Sequence, residues 1–516
     1  MRRSNGGIIG PDNVTTGGPF GSASGVFKLS EATNLIKEGK WPTPGPEGYQ
    51  VANSCRFNNG FNGGLDDAYL NRTPSSASNR RTFTLSAWIK RGSHFNDEHP
   101  IFSAGEGSGF SIRFSSEGGS NSAINVYEYV SGWQLRVHTN AEYRDPAAWM
   151  HLVVAFDTTQ GTASNRIKIY VNGNQVTSLG NSDYPSENYD TLVNSSILHT
   201  IARNGTAGDY YDGYMSEVVF IDGLQLDPTS FGEFNSNSGI WIPKTITGLT
   251  YGTNGFYLPF QNSAALGQDD SGEGNNFTVN NLTSIDQTTD TPSNNFATMN
   301  PLAVPPANAA TFAEGNLKIS TNTTAAQPIL STIGVSQGKW YVECKRISYD
   351  GGTGADDGFR IGFGVTYVQD VNLIPPAISN SGHYFMIGNG TVYNGSTDLG
   401  DKAGDSNVSD DGVVGIALDL DNNRISWSFN GAWMTGSDAW GGSSPSSYVD
   451  IASGYTYFFL QTDGSTGRAY TAGWNFGGTS AFAISSGNTD ANGFGNFETA
   501  PPSGYLSLCT NNLNAV

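Results

Sequence analysis

The chain has 516 residues and a formal charge of −20, yet only 14% of its residues are charged while 12% are aromatic. A hydrophobic content of 37%, spread along the chain, excludes a disordered protein, and the negative charge repels phosphate backbones and so argues against nucleic-acid binding. The 3 scattered cysteines form neither a disulfide framework nor a CxxC metal site, and no apolar run is long enough for membrane insertion.

Residues 1–49 are rich in Gly and Pro and begin MRRSNGGIIG, with no apolar run of signal-peptide type, so folding in a cytoplasm is expected. Ser30 can cap a helix over Glu31–Glu38, closed by Gly39 and Pro42. A helix that short is not stable alone in water. The segment is therefore expected to dock, either on its own body or on a partner.

From residue 50 to 261 the pattern is that of strands. Phe83, Leu85, Ala87 and Ile89 alternate on one face, as do Met150, Leu152, Val154 and Phe156. Ile167, Ile169 and Val171 follow the same rule and then meet Asn172-Gly173, a strong hairpin signal. Period-two burial of this kind predicts antiparallel sandwich strands. Residues 262–310 are dominated by Asn, Thr, Asp and Pro and read as a connector. A second run of strands covers 311–477, with Trp340, Val342 and Cys344 sharing a face and a hairpin over Gly412–Gly431. Residues 478–516 read as a C-terminal extension packed on that unit through Tyr505 and Leu508. The fold class expected is all-β, two jelly-roll-type sandwiches behind a short attachment segment.

Three resemblances follow. FTLSAWIK, WMHLVVAFD, IKIYVNG and YYDGYMSEVVFIDGLQLD, in that order, resemble successive strands of the laminin-G/concanavalin-like sandwiches. GKWYVECK, RIGFGV, GVVGIALDLDNNRISWSFNG and the closing NFG resemble SPRY domains, which bind partners through loops. RRSNGGIIGPDNVTTGG, SGVFKLSEA, DSGEGNNFTVNNL and DTPSNNFATMNPL resemble the ends and joints of marine bacteriophage virion appendage proteins.

Chemistry is sparse. The concanavalin-like glycanases place their two carboxylates on one strand face by an ExDxE-type motif. No Glu-x-Asp occurs here. Gly334-Val335-Ser336-Gln337-Gly338 has the form of a nucleophile elbow but precedes a strand, where that motif requires a helix. His94 and His99 read as part of a polar loop that could hold a metal, a solvated loop being the expectation, and His151 reads as a hydrogen-bonded structural residue on a strand. Asp419-x-Asp421-x-Asn423 lacks the Gly and Glu of a calcium loop and reads as a hairpin turn. Asp209 and Asp212 in RNGTAGDYYDG are the candidate calcium ligands, the resemblance to laminin-G domains implying such a site beside the ligand.

Aromatics in polar loops are the remaining clue, because a sugar ring stacks on a flat side chain while Asn and Asp bind its hydroxyls. Tyr184, Tyr189, Tyr210, Tyr211, Trp433 and Trp440 are the candidates for ligand contact. The resemblances imply a non-catalytic phage tail fibre or similar appendage, exposed on the virion. It would recognise host-surface glycan or protein, attach to other virion proteins through its N-terminal segment, and form a homo-oligomer, by class a trimer. The alternatives are a purely structural virion component and a polysaccharide depolymerase with dispersed carboxylates.

Overall fold

The computed structural model describes residues 48–59, 67–92, 98–106, 109–115, 122–205, 208–236, 238–303, 310–321, 328–349, 361–367, 382–387, 390–401, 412–436, 439–463 and 470–513, and the backbone of 7–9 and 26–28. The helix expected over 31–38 and His94 lie outside them. His99, expected in a polar loop, is instead buried at the start of the strand His99–Ala104.

The first sandwich faces one eight-stranded antiparallel sheet against another. At the centre of one, Thr82–Arg91 lies between Met150–Asp157 and Gly213–Asp222, with Ile89 opposite Met150 and Phe83 opposite Phe156. That register turns Phe83, Leu85, Ala87 and Ile89 inward together with Leu152, Val154 and Phe156, and all of them are buried in one core. Phe83 stacks on Phe156 at 4.4 Å between ring centroids. The other sheet runs in the order Leu179–Asp183, Trp133–Glu142, Ala123–Tyr129, Phe110–Ser115, His99–Ala104, His199–Ile201, Tyr69–Arg72 and Thr278–Asn280. At the Asn172-Gly173 turn, φ is 47° and 77°, the left-handed pair a two-residue hairpin requires. Gly173 is required twice over, since a Cβ there would sit 2.3 Å from the Trp241 ring.

On the outer face, His151 takes a hydrogen bond from Trp241 Nε1 at Nδ1 (3.0 Å), which leaves Nε2–H to donate to Ser86 Oγ (2.8 Å). Its ring stacks on Trp88 and on Trp241. It is the hydrogen-bonded structural residue its strand position implied.

The second sandwich pairs a ten-stranded sheet with a six-stranded one. Trp340, Trp427 and Trp474 fill its core, and each indole N–H is satisfied, by Gln337 O, Phe363 O and Gln461 Oε1. Buried free Cys344 lies among them. Val413–Asp419 pairs with Arg424–Phe429, and the Asp419 carboxylate accepts bonds from Asn422 and Arg424, which confirms a hairpin turn there. Gly334 lies within the strand Ile329–Val335 and Lys339–Tyr349 follows, so Ser336 stands in a strand-to-strand turn. In the C-terminal extension, Leu506–Ser507 pairs in parallel with Trp340–Tyr341, and Leu508 enters the core.

Residues 262–303 are built into both units. Thr278–Asn280 extends one sheet of the first sandwich and Gln287–Thr288 the other. Beyond them, Thr288 and Thr289 donate to Gly478 O, Ala297 N donates to Leu508 O, and Met299 N to Asn316 O. Beneath this segment runs a buried polar seam. Arg56, fully buried, contacts Asp286 at 3.2 Å and Glu314 at 2.8 Å, and donates to Ser480 O at 2.8 Å. Tyr214 OH donates to Gly315 O at 2.9 Å. A buried cation is tolerated only when paired, so these ion pairs tie the first sandwich to the segment that enters the second.

Candidate functional site

One end of the first sandwich exposes two aromatic rings side by side, next to a groove. The strands Ala123–Tyr129 and Trp133–Glu142 form a hairpin whose tip, Val130-Ser131-Gly132, carries φ values of 55° at Ser131 and 148° at Gly132. The tip leaves Trp133 48%, Val130 42% and Tyr129 38% exposed. The tip is nevertheless ordered by contacts. Trp133 meets Tyr129 edge-on at 5.2 Å and Tyr127 at 5.9 Å. The Arg136 guanidinium lies 5.1 Å from the Trp133 ring centre, and Gln134 Nε2 donates to Val130 O and Gly132 O.

Two surfaces adjoin this tip. On one side a groove of about 470 Å³ is lined by Gly105, Glu106, Tyr129, Val130, Leu192 and Ile197. Its far wall is held from below. Buried Glu128 accepts from Leu192 N at 2.8 Å and from Tyr189 OH at 2.5 Å, and burial pushes its carboxyl above the usual range. His199 accepts from Asn194 N at Nε2 and bonds Ile197 O through Nδ1, and burial lowers its pKa to about 4, so it stands neutral. On the other side, Asn204 Nδ2 donates to Tyr127 OH and to Asp209 Oδ2, both at 3.3 Å. Arg203 lies over the rings of Tyr69 and Tyr210. The arrangement is an exposed indole and phenol beside an apolar trough edged by the exposed Glu106 carboxylate. That can stack a sugar ring and bind its hydroxyls.

Of the sequence-predicted residues, Tyr189 and Tyr210 are half-buried and flank this end, and Tyr184 is half-buried against the core. Tyr211 is a correction: it is fully buried, its OH donating to Lys90 O at 2.8 Å. Trp433 is another, 2% exposed beneath Tyr505 and Phe497 of the C-terminal extension. Neither ring has a face free for a ligand. Trp440 is half-buried against Phe429 in the second sandwich, far along the chain from the groove. There the more exposed ring is Tyr455, stacked on Tyr367 at 3.9 Å.

Asp209 and Asp212, the expected calcium ligands, stand in different surroundings. Asp209 faces Asn204, whereas Asp212 is buried and so close to Gly92 that a Cβ there would sit 2.3 Å from its carboxylate. Among the described residues no three His, Cys, Asp or Glu side chains come together in a metal-sized cluster.

Residues 62–224 match a family model described as Laminin_G_3, the concanavalin A-like lectin/glucanases superfamily. The first sandwich is therefore a laminin-G/concanavalin-like domain, and the exposed hairpin tip lies within the matched stretch. Solved structures with similarity include the SPRY domain of human HERC1 (13% identity, 31% of this chain and 87% of that one, TM-score 0.23). A putative carbohydrate-binding protein from Bacteroides ovatus matches at 15% identity over 45% of this chain and 59% of its own, TM-score 0.28. A SAP-like pentraxin from Limulus polyphemus matches at 16% identity over 34% and 79%, TM-score 0.25. No curated protein sequence matches the chain.

Proposed function

We propose that the chain is a non-catalytic glycan-binding protein of the virion-appendage kind, which holds host-surface polysaccharide at the hairpin tip of its first sandwich. The observation that carries this reading is the pairing of exposed Trp133 and Tyr129 beside an apolar groove, in a domain of the concanavalin-like class. The fold class supports lectin-like binding, and the third sequence resemblance supports the virion setting. Contact with other virion proteins through residues 1–49, and repetition of the chain as an oligomer, belong to the same proposal. Weak single sites would then gain avidity by repetition.

Hydrolysis is left out of the reading because it takes two carboxylates, and Glu106 is the acidic side chain among the described groove residues. Calcium is given no part, because Asp209 and Asp212 stand in different surroundings. The test is binding of the purified chain to isolated bacterial surface polysaccharides, with a parallel assay for released reducing ends. Saturable binding that free oligosaccharide competes away, without chain cleavage, is the expected result. Absence of binding to intact cells and polysaccharides alike, with the protein presented multivalently, would overturn it and favour a structural virion part. Released reducing ends would favour the depolymerase.

A further inference from the structure

Lys90, near the end of the strand Thr82–Arg91, is fully buried and projects into the seam between the sandwiches. Its Nζ lies 2.7 Å from Asp290 Oδ2, 2.7 Å from Asn295 Oδ1 and 2.7 Å from the carbonyl oxygen of Phe296. The Asp290 carboxylate is buried as well, and its other oxygen accepts from Trp149 Nε1 at 2.9 Å and Phe296 N at 3.3 Å. The Tyr214 ring stands 5.6 Å from Nζ, with Trp149 packed against it. Asn295 Nδ2 donates to Ala147 O at 2.6 Å, which turns the amide so that its oxygen faces the lysine.

Three chemical roles therefore meet beside the Tyr214 and Trp149 rings. A primary amine stands beside the carbonyl of a carboxamide; with a C=O bond of about 1.23 Å, the lysine nitrogen is within about 4 Å of the amide carbon. That is close to the separation of a near-attack geometry. A carboxylate touches the amine and can accept its proton. Burial also lowers the lysine pKa, which eases release of that proton.

We propose that Lys90 and Asn295 condense to an intramolecular isopeptide bond, with Asp290 as the proton carrier. Asp290 takes one proton from the Lys90 ammonium, and the freed amine pair attacks Cγ of Asn295. The tetrahedral adduct passes a nitrogen proton through Asp290 to Nδ2. The Cγ–Nδ2 bond then breaks, and ammonia leaves with its electron pair and takes the proton Asp290 still holds, departing as ammonium. One C–N bond forms and one breaks, Asp290 ends as the carboxylate it began as, and no oxidant or co-reactant enters. The product ties a strand of the first sandwich to the segment that enters the second.

The test is the intact mass of the purified full-length chain, followed by peptide mapping. The expected result is a mass below that of the sequence by one ammonia, with a branched peptide joining Lys90 to Asn295. A Lys-specific protease should fail to cut after Lys90 in the denatured protein. Asp290→Asn retains both reactants and should show the full mass; Asn295→Ala should show the full mass of its own sequence, and circular dichroism establishes that each is folded. A folded wild-type chain at the full sequence mass overturns the proposal. So does ammonia loss with Lys90 recovered free, as a succinimide at an Asn-Gly pair would give.

Discussion

Replacing Trp133 by Ala tests the hairpin tip directly, and the size of the effect can be worked from exposure. A tryptophan in contact with its surroundings buries about 150–250 Å². With 48% of Trp133 exposed, on the order of 100 Å² is left for a ligand to cover. At about 25 cal/mol per Å², full cover contributes ~2.5 kcal/mol and cover of one ring face about half of that. The dissociation constant should therefore rise roughly ten- to seventy-fold. Because the ring is half outside the fold, the change should cost less than about 1 kcal/mol of stability. The assay is calorimetric titration of wild type and Trp133→Ala with one oligosaccharide, beside a thermal melt of each. Unchanged affinity at unchanged stability would refute the assignment of the site. Loss of affinity accompanied by a large fall in melting temperature would show that Trp133 acts on the fold.

Further perturbations separate site from scaffold. Tyr129→Ala should weaken the same binding several-fold, whereas Tyr455→Ala in the second sandwich should leave it unchanged; equal effects would move the site. Trp433→Ala, which empties a buried volume beneath the C-terminal extension, should cost about 3–5 kcal/mol in denaturant unfolding, and a cost below about 1 would contradict its burial. Stability should also fall on acidification. His199 titrates at about 4 in the fold and His151 at about 3, both lowered by burial, against about 6.5 unfolded. The unfolded chain thus binds more protons below pH ~6.5, so their contribution is complete above that value and is lost as pH falls through the folded values. Glu217, raised by burial to about 7, works the other way, its contribution complete below the unfolded carboxyl range and lost as pH rises through 7. Glu217→Gln should accordingly steepen the rise of stability from pH 5 to 7, and parallel profiles would refute the assignment. Excess chelator should leave glycan binding unchanged; abolition would place a divalent ion at the site.

The cores were legible because a half-buried strand announces itself with period two. Phe83 through Ile89, Met150 through Phe156 and Trp340 through Cys344 all turn the faces inward that their spacing predicts. Turns were legible where chemistry demands left-handed φ, as at Asn172-Gly173. Burial of loop aromatics was not, because it depends on what arrives from far along the chain. Trp433 is covered by Tyr505 and Phe497, and Tyr211 is drawn inward by a carbonyl on another strand. The exposed site left a fainter trace. YEYVSGWQL places Tyr129 and Trp133 on either side of a Ser-Gly turn, so the strand alternation carries both rings out past the sheet. Residues 262–303 resembled a linker because their Asn, Thr and Asp side chains are polar. Those side chains are spent on backbone groups and buried cations, as with Asp286 on Arg56 and Asp290 on Lys90.

That woven segment limits how the chain can be divided. A fragment cut to residues 62–224 would lack Ser54–Phe57, Phe256–Leu258, Thr278–Asn280 and Gln287–Thr288, and so expose raw sheet edges where the whole chain has neighbours. It would also strand Lys90 in an apolar wall with its counter-charge removed. The sandwich that carries the site is thus no transplantable module. It stays intact only with the stretch that also anchors its neighbour.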